Sequence, residues 1–422
     1  MPTTNRQSKL HCCAKHIGCY LAPMQLFGID ISFIIFALTL VGVAVFHTRT
    51  LQVALAGLVL VVAYKFFFTD FNFLQHAQHE WKDLLNLLGL LLGFAILAKH
   101  FEHSGVPALL PKFLPDDWKG GFLLLVLVFI LSSTLDNIAG AMIGGGVAHV
   151  VFKRKVHIGY IAAIVAASNA GGSGSVLGDT TTTMMWIDGV DAFDVLHAYA
   201  AAIPALFIFG IIASVQQHKY QPVLKDEIHN AHISWKRIGV TGMILAGAIT
   251  ANIVFEFPAI GVWAAILVGS LVIKTEWKEI EHALPGSVFL LALVLCASMM
   301  PVDQLPAASW QTAFGLGFIS SVFDNIPLTK LALTQGGYDW GVLAYAVGFG
   351  GSMIWFGSSA GVAITTLYPE AKSVKNWLMS GWHVIVAYVI SFFILLGVFG
   401  WHPHAPHSTP KSPKGDLIQV SH

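Results

Sequence analysis

Apolar residues fall along this chain in runs of roughly twenty, separated by short polar or Gly/Pro-bearing segments. Twenty helical residues are what it takes to cross the ~30 Å hydrocarbon core of a bilayer. Stretches such as 84–97 and 384–398 are apolar on every face, and the strict alternation expected of a membrane β-barrel strand is absent. The pattern predicts an all-α polytopic membrane protein. Full spans are expected near 26–46, 51–68, 84–98, 157–187 and 195–215, and then near 238–255, 259–273, 283–300, 341–367 and 379–400.

Two regions, 121–152 and 311–335, are too long for one span and too short for two, and each has Asp-Asn near its middle. A re-entrant helical hairpin satisfies both facts, because a polar tip at membrane depth is tolerated where protein or a wet cavity surrounds it. With ten spans, two hairpins and both termini outside, the cytoplasmic face receives Arg49, Lys99, Lys112, Lys119, Lys153, Arg154, Lys155, Lys219 and most later basic residues. Only Lys65 and Lys82 fall in outer loops. A plain span in place of the first hairpin would move Lys153, Arg154 and Lys155 outside.

Composition agrees with this reading: 55% of residues are hydrophobic and 11% charged, against about 25% charged in a soluble domain. Lys+Arg and Asp+Glu balance at 23 each, which removes nucleic acid as a partner. Four cysteines make no disulfide scaffold in a chain of 422 residues. His11, Cys12, Cys13, His16 and Cys19 in the N-terminal tail (1–25) suggest soft-metal ligation only weakly, and a mobile tail or a true start at Met24 explains them equally well. The Pro- and His-rich segment 401–422 reads as a disordered C-terminal tail.

Comparing the chain with itself is more informative. Glu80-Trp-Lys-Asp recurs as Glu276-Trp-Lys-Glu, and Ser132-Ser-Thr-Leu-Asp-Asn-Ile recurs as Ser320-Ser-Val-Phe-Asp-Asn-Ile. Gly171-Gly-Ser recurs as Gly350-Gly-Ser, with Gly178 and Gly357 at the same distance beyond. Three matches in the same order point to a duplicated unit, 26–215 and 238–400, joined by a cytoplasmic loop at 216–237. Five spans and a hairpin per unit make an odd number of crossings, so the second copy is expected to be inverted, a plan common among secondary transporters.

The duplicated positions carry the candidate chemistry. Asp136 and Asp324 sit at the hairpin tips beside Asn137 and Asn325. A carboxylate at membrane depth costs about 2.5–3.5 kcal/mol on insertion scales and marks ion or proton pathways, although an Asp at this position also serves as an ordinary helix N-cap. The segment 168–183 places Asn169, Gly172, Ser173, Gly178, Asp179 and Thr180 inside an apolar span. Clustered glycines imply a broken helix with freed carbonyls, and carbonyls, hydroxyls and a carboxylate are the hard ligands an alkali cation prefers, whereas a small-residue packing seam is the simpler alternative. The second copy, with Ser352, Ser358 and Ser359, lacks the carboxylate. The preferred ion site is therefore built on Asp136, Asn137, Asn169 and Asp179, with Asp324, Asn325 and Ser352 completing it. His76, His79 and Glu80 do not follow the zincin order, and His149 and His383 are read as interhelical histidines rather than proton relays, so no enzyme is expected.

These residues resemble the NhaD-type sodium/proton antiporters, within the ion transporter superfamily that also holds citrate, dicarboxylate and arsenite carriers. The resemblance rests on Asn169-Ala-Gly-Gly, on Gly178-Asp-Thr-Thr-Thr-Thr-Met-Met-Trp-Ile, on Asp324-Asn-Ile-Pro-Leu, and on Gly350-Gly-Ser with Gly357-Ser-Ser-Ala-Gly-Val-Ala. It covers roughly 84–400. It implies a homodimer in the bacterial inner membrane, with a still scaffold and a moving transport domain joined by arms at 100–119 and 301–310. It also implies ion-site residues at Asp136, Asn137, Asp179, Asp324 and Asn325, with sodium or lithium and protons as cargo and no cofactor. The chain departs from the family in having Ala139, Gly140 and Ala141 where threonines commonly follow the first Asp-Asn. The alternatives are a sodium-coupled citrate or dicarboxylate symporter, for which Lys330 is the deep cation that a carboxylate would need, and a sensor that binds sodium without moving it.

Overall fold

The computed structural model describes residues 25–26, 29–46, 49–69, 71–224 and 232–404. The proposed N-terminal metal ligands and nearly all of the C-terminal tail lie outside these residues.

A membrane solvates no backbone polar groups, so the apolar runs become helices that bond internally. The first half of the chain forms α1 (Ile31–Val45), α2 (Thr50–Phe68), α3 (Phe73–Glu102), α4 (Val106–Phe113), α5 (Trp118–Ser132), α6 (Asn137–Val151), α7 (Ile158–Ser173), α8 (Thr180–Ile187), α9 (Ala192–Leu196) and α10 (Tyr199–Tyr220). The second half forms α11 (Trp235–Phe255), α12 (Pro258–Val272), α13 (Lys278–Ser298), α14 (Trp310–Ser320), α15 (Asn325–Gln335), α16 (Trp340–Gly350), α17 (Ser359–Leu367), α18 (Val374–Ser380) and α19 (Trp382–Phe399). Six helical stretches among the described residues are long and apolar enough to cross a membrane, which makes the protein a polytopic helical membrane protein.

Each region expected as a hairpin divides into two helices at its Asp-Asn, α5–α6 and α14–α15, and both long runs break into two helices, α7–α8 and α16–α17. The third span was expected at 84–98, but α3 begins at Phe73, so His76, His79 and Glu80 are helical rather than in a connection. His76 Nε2 lies 2.9 Å from Ser298 Oγ, and no metal-binding group of histidine, cysteine or carboxylate occurs among the described residues. A two-residue antiparallel strand pair, Gln25–Leu26 with Ile29–Asp30, precedes α1 and had no signal in the apolar pattern. The segments expected as arms contain α4 and a single 3-10 turn, Val302–Gln304.

Packing interleaves the two halves. One small core joins α3 to α11 and α12 through Leu90, Phe94, Ile244, Val262 and Ile266. A second joins α13 to α1 and α2 through Phe36, Leu40, Val61, Leu293 and Cys296. Each half thus lends its third long helix to the other half's first pair. The large core holds the hairpins, α7, α10, α16 and α19, with α7 packed on α16 and α10 on α19. Every residue of α16 is buried, and so is α7 from Gly159 onward, which leaves their broken ends in the middle of the protein.

Candidate functional site

The two breaks meet where the hairpin tips arrive, and small residues make this approach possible. A Cβ on Gly171 would run into the carbonyl of Phe129 in α5, and one on Gly350 into the carbonyl of Gly317 in α14. Ser132 Oγ donates to the Ser168 carbonyl at 2.5 Å, and Ser320 Oγ to the Val347 carbonyl at 2.7 Å, so the hairpin in each half is fastened to its own broken helix by the same bond at matching positions. Gly140 packs on Ser132 between the limbs of the first hairpin, with an added Cβ only 2.9 Å from the serine Cβ. This close packing accounts for a small residue at position 140.

Four short helices begin at this crossing, and each is capped by its own side chain. Asp136 Oδ1 accepts the Ala139 amide at 2.6 Å, Asp179 Oδ1 the Thr181 amide at 3.1 Å, Asp324 Oδ1 the Ile326 amide at 3.0 Å, and Ser358 Oγ the Gly361 amide at 3.3 Å. The capping explanation of the aspartates therefore holds, but it engages one oxygen of each. The second oxygens of two of them reach other elements: Asn325 Nδ2 donates to Asp179 Oδ2 at 3.4 Å, and Ser359 Oγ to Asp324 Oδ2 at 3.4 Å. Asp324 and Asp136 both act electrostatically on Asp179. Helix N-termini carry partial positive charge, so four of them converging offset part of the cost of three carboxylates at this depth.

A second chain of bonds crosses between the halves. Asn137 Nδ2 donates to Asn169 Oδ1 at 3.1 Å, and Asn169 Nδ2 lies 3.0 Å from both Ser352 Oγ and Ser358 Oγ. The position matching Asn169 in the second half is Gly348. A Cβ there would stand 3.4 Å from Ser173 Cβ and 3.6 Å from Asp179 Oδ2. Where the second half offers serines to an asparagine, the first half offers Asp179 to a glycine, so no side chain from position 348 meets Asp179.

The anticipated residues accordingly separate by placement. Asn137, Asn169, Ser352 and Ser358 form one bonded group, and Asp179 with Asn325 forms another. Asp136, Thr180 and Asp324 line a cavity of about 1310 Å³ that also reaches Lys99, Glu102 and Glu279. Ser173 is fully buried, but its hydroxyl donates to the Ala170 carbonyl of its own helix at 2.9 Å. Gly172 acts through close approach, its Cβ position lying against the Gly178 carbonyl. Thr182 and Thr183 donate to the Ser175 and Val176 carbonyls at 2.6 and 2.8 Å, so these threonines satisfy the freed backbone of the break. Sequence reasoning missed Gly348, whose role lies in the side chain it lacks, and the partnership of Ser359 with Asp324.

No protein-family model matches the chain. Among curated proteins it is similar to sodium/proton antiporter 2 of Arabidopsis thaliana, 26% identical over 352 residues that cover 70% of this chain and 80% of that protein. Sodium/proton antiporter 1 of the same plant is 25% identical over 342 residues, or 69% of this chain and 57% of that protein. The Na(+)/H(+) antiporter NhaD of Vibrio cholerae is 23% identical over 325 residues, 64% of this chain and 68% of that protein. The chain is a relative of the NhaD-type sodium/proton antiporters. It spans little more than half the length of the first Arabidopsis relative and about two thirds of the Vibrio NhaD. The NhaD-type resemblance read from the Gly178-Asp179-Thr180 segment is thus matched by similarity over 64–70% of the chain.

Proposed function

We propose that the chain is a sodium- or lithium-for-proton antiporter working by alternating access, with the ion held at Asp179, Asp136 and Asp324. The observation that carries this reading is the site itself: three carboxylates, each with one oxygen tied to a helix N-terminus, of which Asp179 and Asp324 receive bonds from Asn325 and Ser359 on their second oxygens and Asp136 lines the adjoining cavity. A bare carboxylate is expensive to bury, and either a proton or a cation relieves that cost. Sodium and protons therefore compete for one place, and movement of the site through the protein is allowed when one or the other occupies it. Asn137, Asn169, Ser352 and Ser358 hold the two breaks in register, with oxygens from Gly172, Ser173 and Thr180 beside them.

In this reading 26–215 and 238–400 are inverted repeats, and the division into cores follows it. The bundles of α1, α2, α13 and of α3, α11, α12 form the still scaffold, and the hairpins with α7, α8, α10, α16, α17 and α19 form the body that moves. The opposed running of equivalent helices supports inversion: the cavity lies at the C-terminal end of α3, at Lys99 and Glu102, and at the N-terminal end of α13, at Glu279 and His282. With both termini outside, this cavity faces the cytoplasm. A homodimer in a bacterial inner membrane completes the proposal. A citrate cargo gains nothing from Lys330, because its ammonium is ion-paired to Glu80 at 2.9 Å.

The test is pH-gradient dissipation in proteoliposomes on addition of sodium, lithium, potassium and citrate in turn. Dissipation by sodium or lithium, absent with citrate, is the expected result. A response to citrate alone overturns the reading, and so does sodium occupancy without flux.

A further inference from the structure

The protein is open on one side of the candidate site and shut on the other, and the same four helices pass through both regions. Leu91, Ala95 and Lys99 of α3 line the large cavity, while Glu80, Asp83 and Leu87 of the same helix line a pocket of about 10 Å³. Likewise α13 passes from Glu279 to Val294, α8 from Thr180 to Asp188, and α15 from its cap Asp324 to Lys330. A pocket that small holds one water at most. The two linings approach to about 6 Å between Leu91 and Leu87, and from Leu91 to Glu80 is about 16 Å along the helix, so the far end of the pocket stands about half a membrane beyond the cavity.

At the shut end Lys330 Nζ meets Glu80 Oε2 at 2.9 Å, with the two side chains 8% and 10% exposed. Asp83 and Asp188 add their negative charge around the same ammonium. The pair joins two helices that share α13 and α8 as neighbours but differ beyond them: Glu80 belongs to α3, which also packs on α11 and α12, whereas Lys330 sits six residues beyond the tip residue Asp324 on α15, which also packs on α16. A buried ion pair adds little to stability compared with apolar residues of the same shape, and its best-attested use is to select one arrangement over another. When the pair is exposed to water both charges are solvated and their attraction falls steeply, so such a contact grips only when closed.

We propose that Glu80–Lys330 is a latch that keeps the side opposite the cavity shut, and that it opens for the site to become accessible from that side. The proposal rests on the alternating-access reading given above, and the two are separable by experiment. In a chain with Cys12, Cys13, Cys19 and Cys296 replaced by serine, a single reporter is placed at Met142→Cys in the cavity or at Val294→Cys in the shut pocket. Its modification by a membrane-impermeant maleimide is timed with and without sodium. Removing one charge strands the other, so the decisive variant is the double Glu80→Leu, Lys330→Met, with Lys330→Arg, which keeps the charge beside Glu80, Asp83 and Asp188, as its control.

In the double variant the Val294→Cys reporter is expected to react about tenfold faster, within the range of ordinary conformational coupling, while Met142→Cys slows; Lys330→Arg keeps both rates close to the parent. Unchanged rates in a monodisperse double variant, while sodium still alters the parent's rates, overturn the latch and leave alternating access standing. Faster Val294→Cys labelling with no slowing at Met142→Cys is local loosening and also overturns it. Parent rates that ignore sodium at both positions remove the alternating-access reading, and the latch with it.

Discussion

Asp179 combines two duties that a single substitution separates. Its Oδ1 caps α8 and its Oδ2 accepts from Asn325 in the other half of the chain. Asparagine caps helices about as well as aspartate does, so Asp179→Asn removes the charge and keeps the cap. The expected outcome is a protein that is expressed and eluted like the parent, with sodium-driven pH-gradient dissipation reduced to background; retained exchange in Asp179→Asn vesicles would falsify the assignment. Asn169 makes a different case, since its amide is bonded at both ends to Asn137, Ser352 and Ser358. Asn169→Ala strands buried polar groups at about 1–3 kcal/mol for each one left unsatisfied, and is expected to lower the melting temperature in detergent by several degrees.

Among the elements, the broken helices depend on absent side chains in a position-specific way. Gly171 and Gly350 face the backbones of α5 and α14 directly, while Gly146 in α6 has nothing within 4 Å of where its Cβ would lie. Gly171→Ala and Gly350→Ala are therefore expected to destabilise by about 1–3 kcal/mol through overpacking. Gly146→Ala, relieved of glycine's helix penalty, is expected to stabilise by up to about 1 kcal/mol. Thermal unfolding of the three variants side by side checks both signs. If all three lose stability alike, the close approach of the hairpins to the breaks is not what those glycines provide.

For the whole molecule, the proposed cation is a ligand of the folded state, and a ligand stabilises what it binds by mass action. At about one hundred times its Kd a single cation adds about 2.7 kcal/mol. Sodium or lithium, but not a bulky organic cation at equal ionic strength, is expected to raise the melting temperature of the purified protein. Asp179→Asn abolishes the increment. A rise that persists in the variant would place the cation elsewhere in the molecule.

Periodicity and repetition carried the chain far. A run of twenty apolar residues has one stable form in hydrocarbon, so the helices, their division at both Asp-Asn pairs and both breaks were legible from composition and from the recurrence of Asp-Asn and Gly-Gly-Ser. The candidate carboxylates were legible because charge at membrane depth is costly wherever it occurs. The start of α3 was misplaced because Glu80 is buried by an ion pair to Lys330, a partner 250 residues away that hydropathy does not see. The exchange of third helices between bundles, the opposition of Gly348 to Asp179, and the cavity bordered by Asp136, Thr180 and Asp324 are relations between segments distant in the chain. They are settled by packing, where shape and the pairing of particular side chains decide among arrangements that local pattern leaves equal.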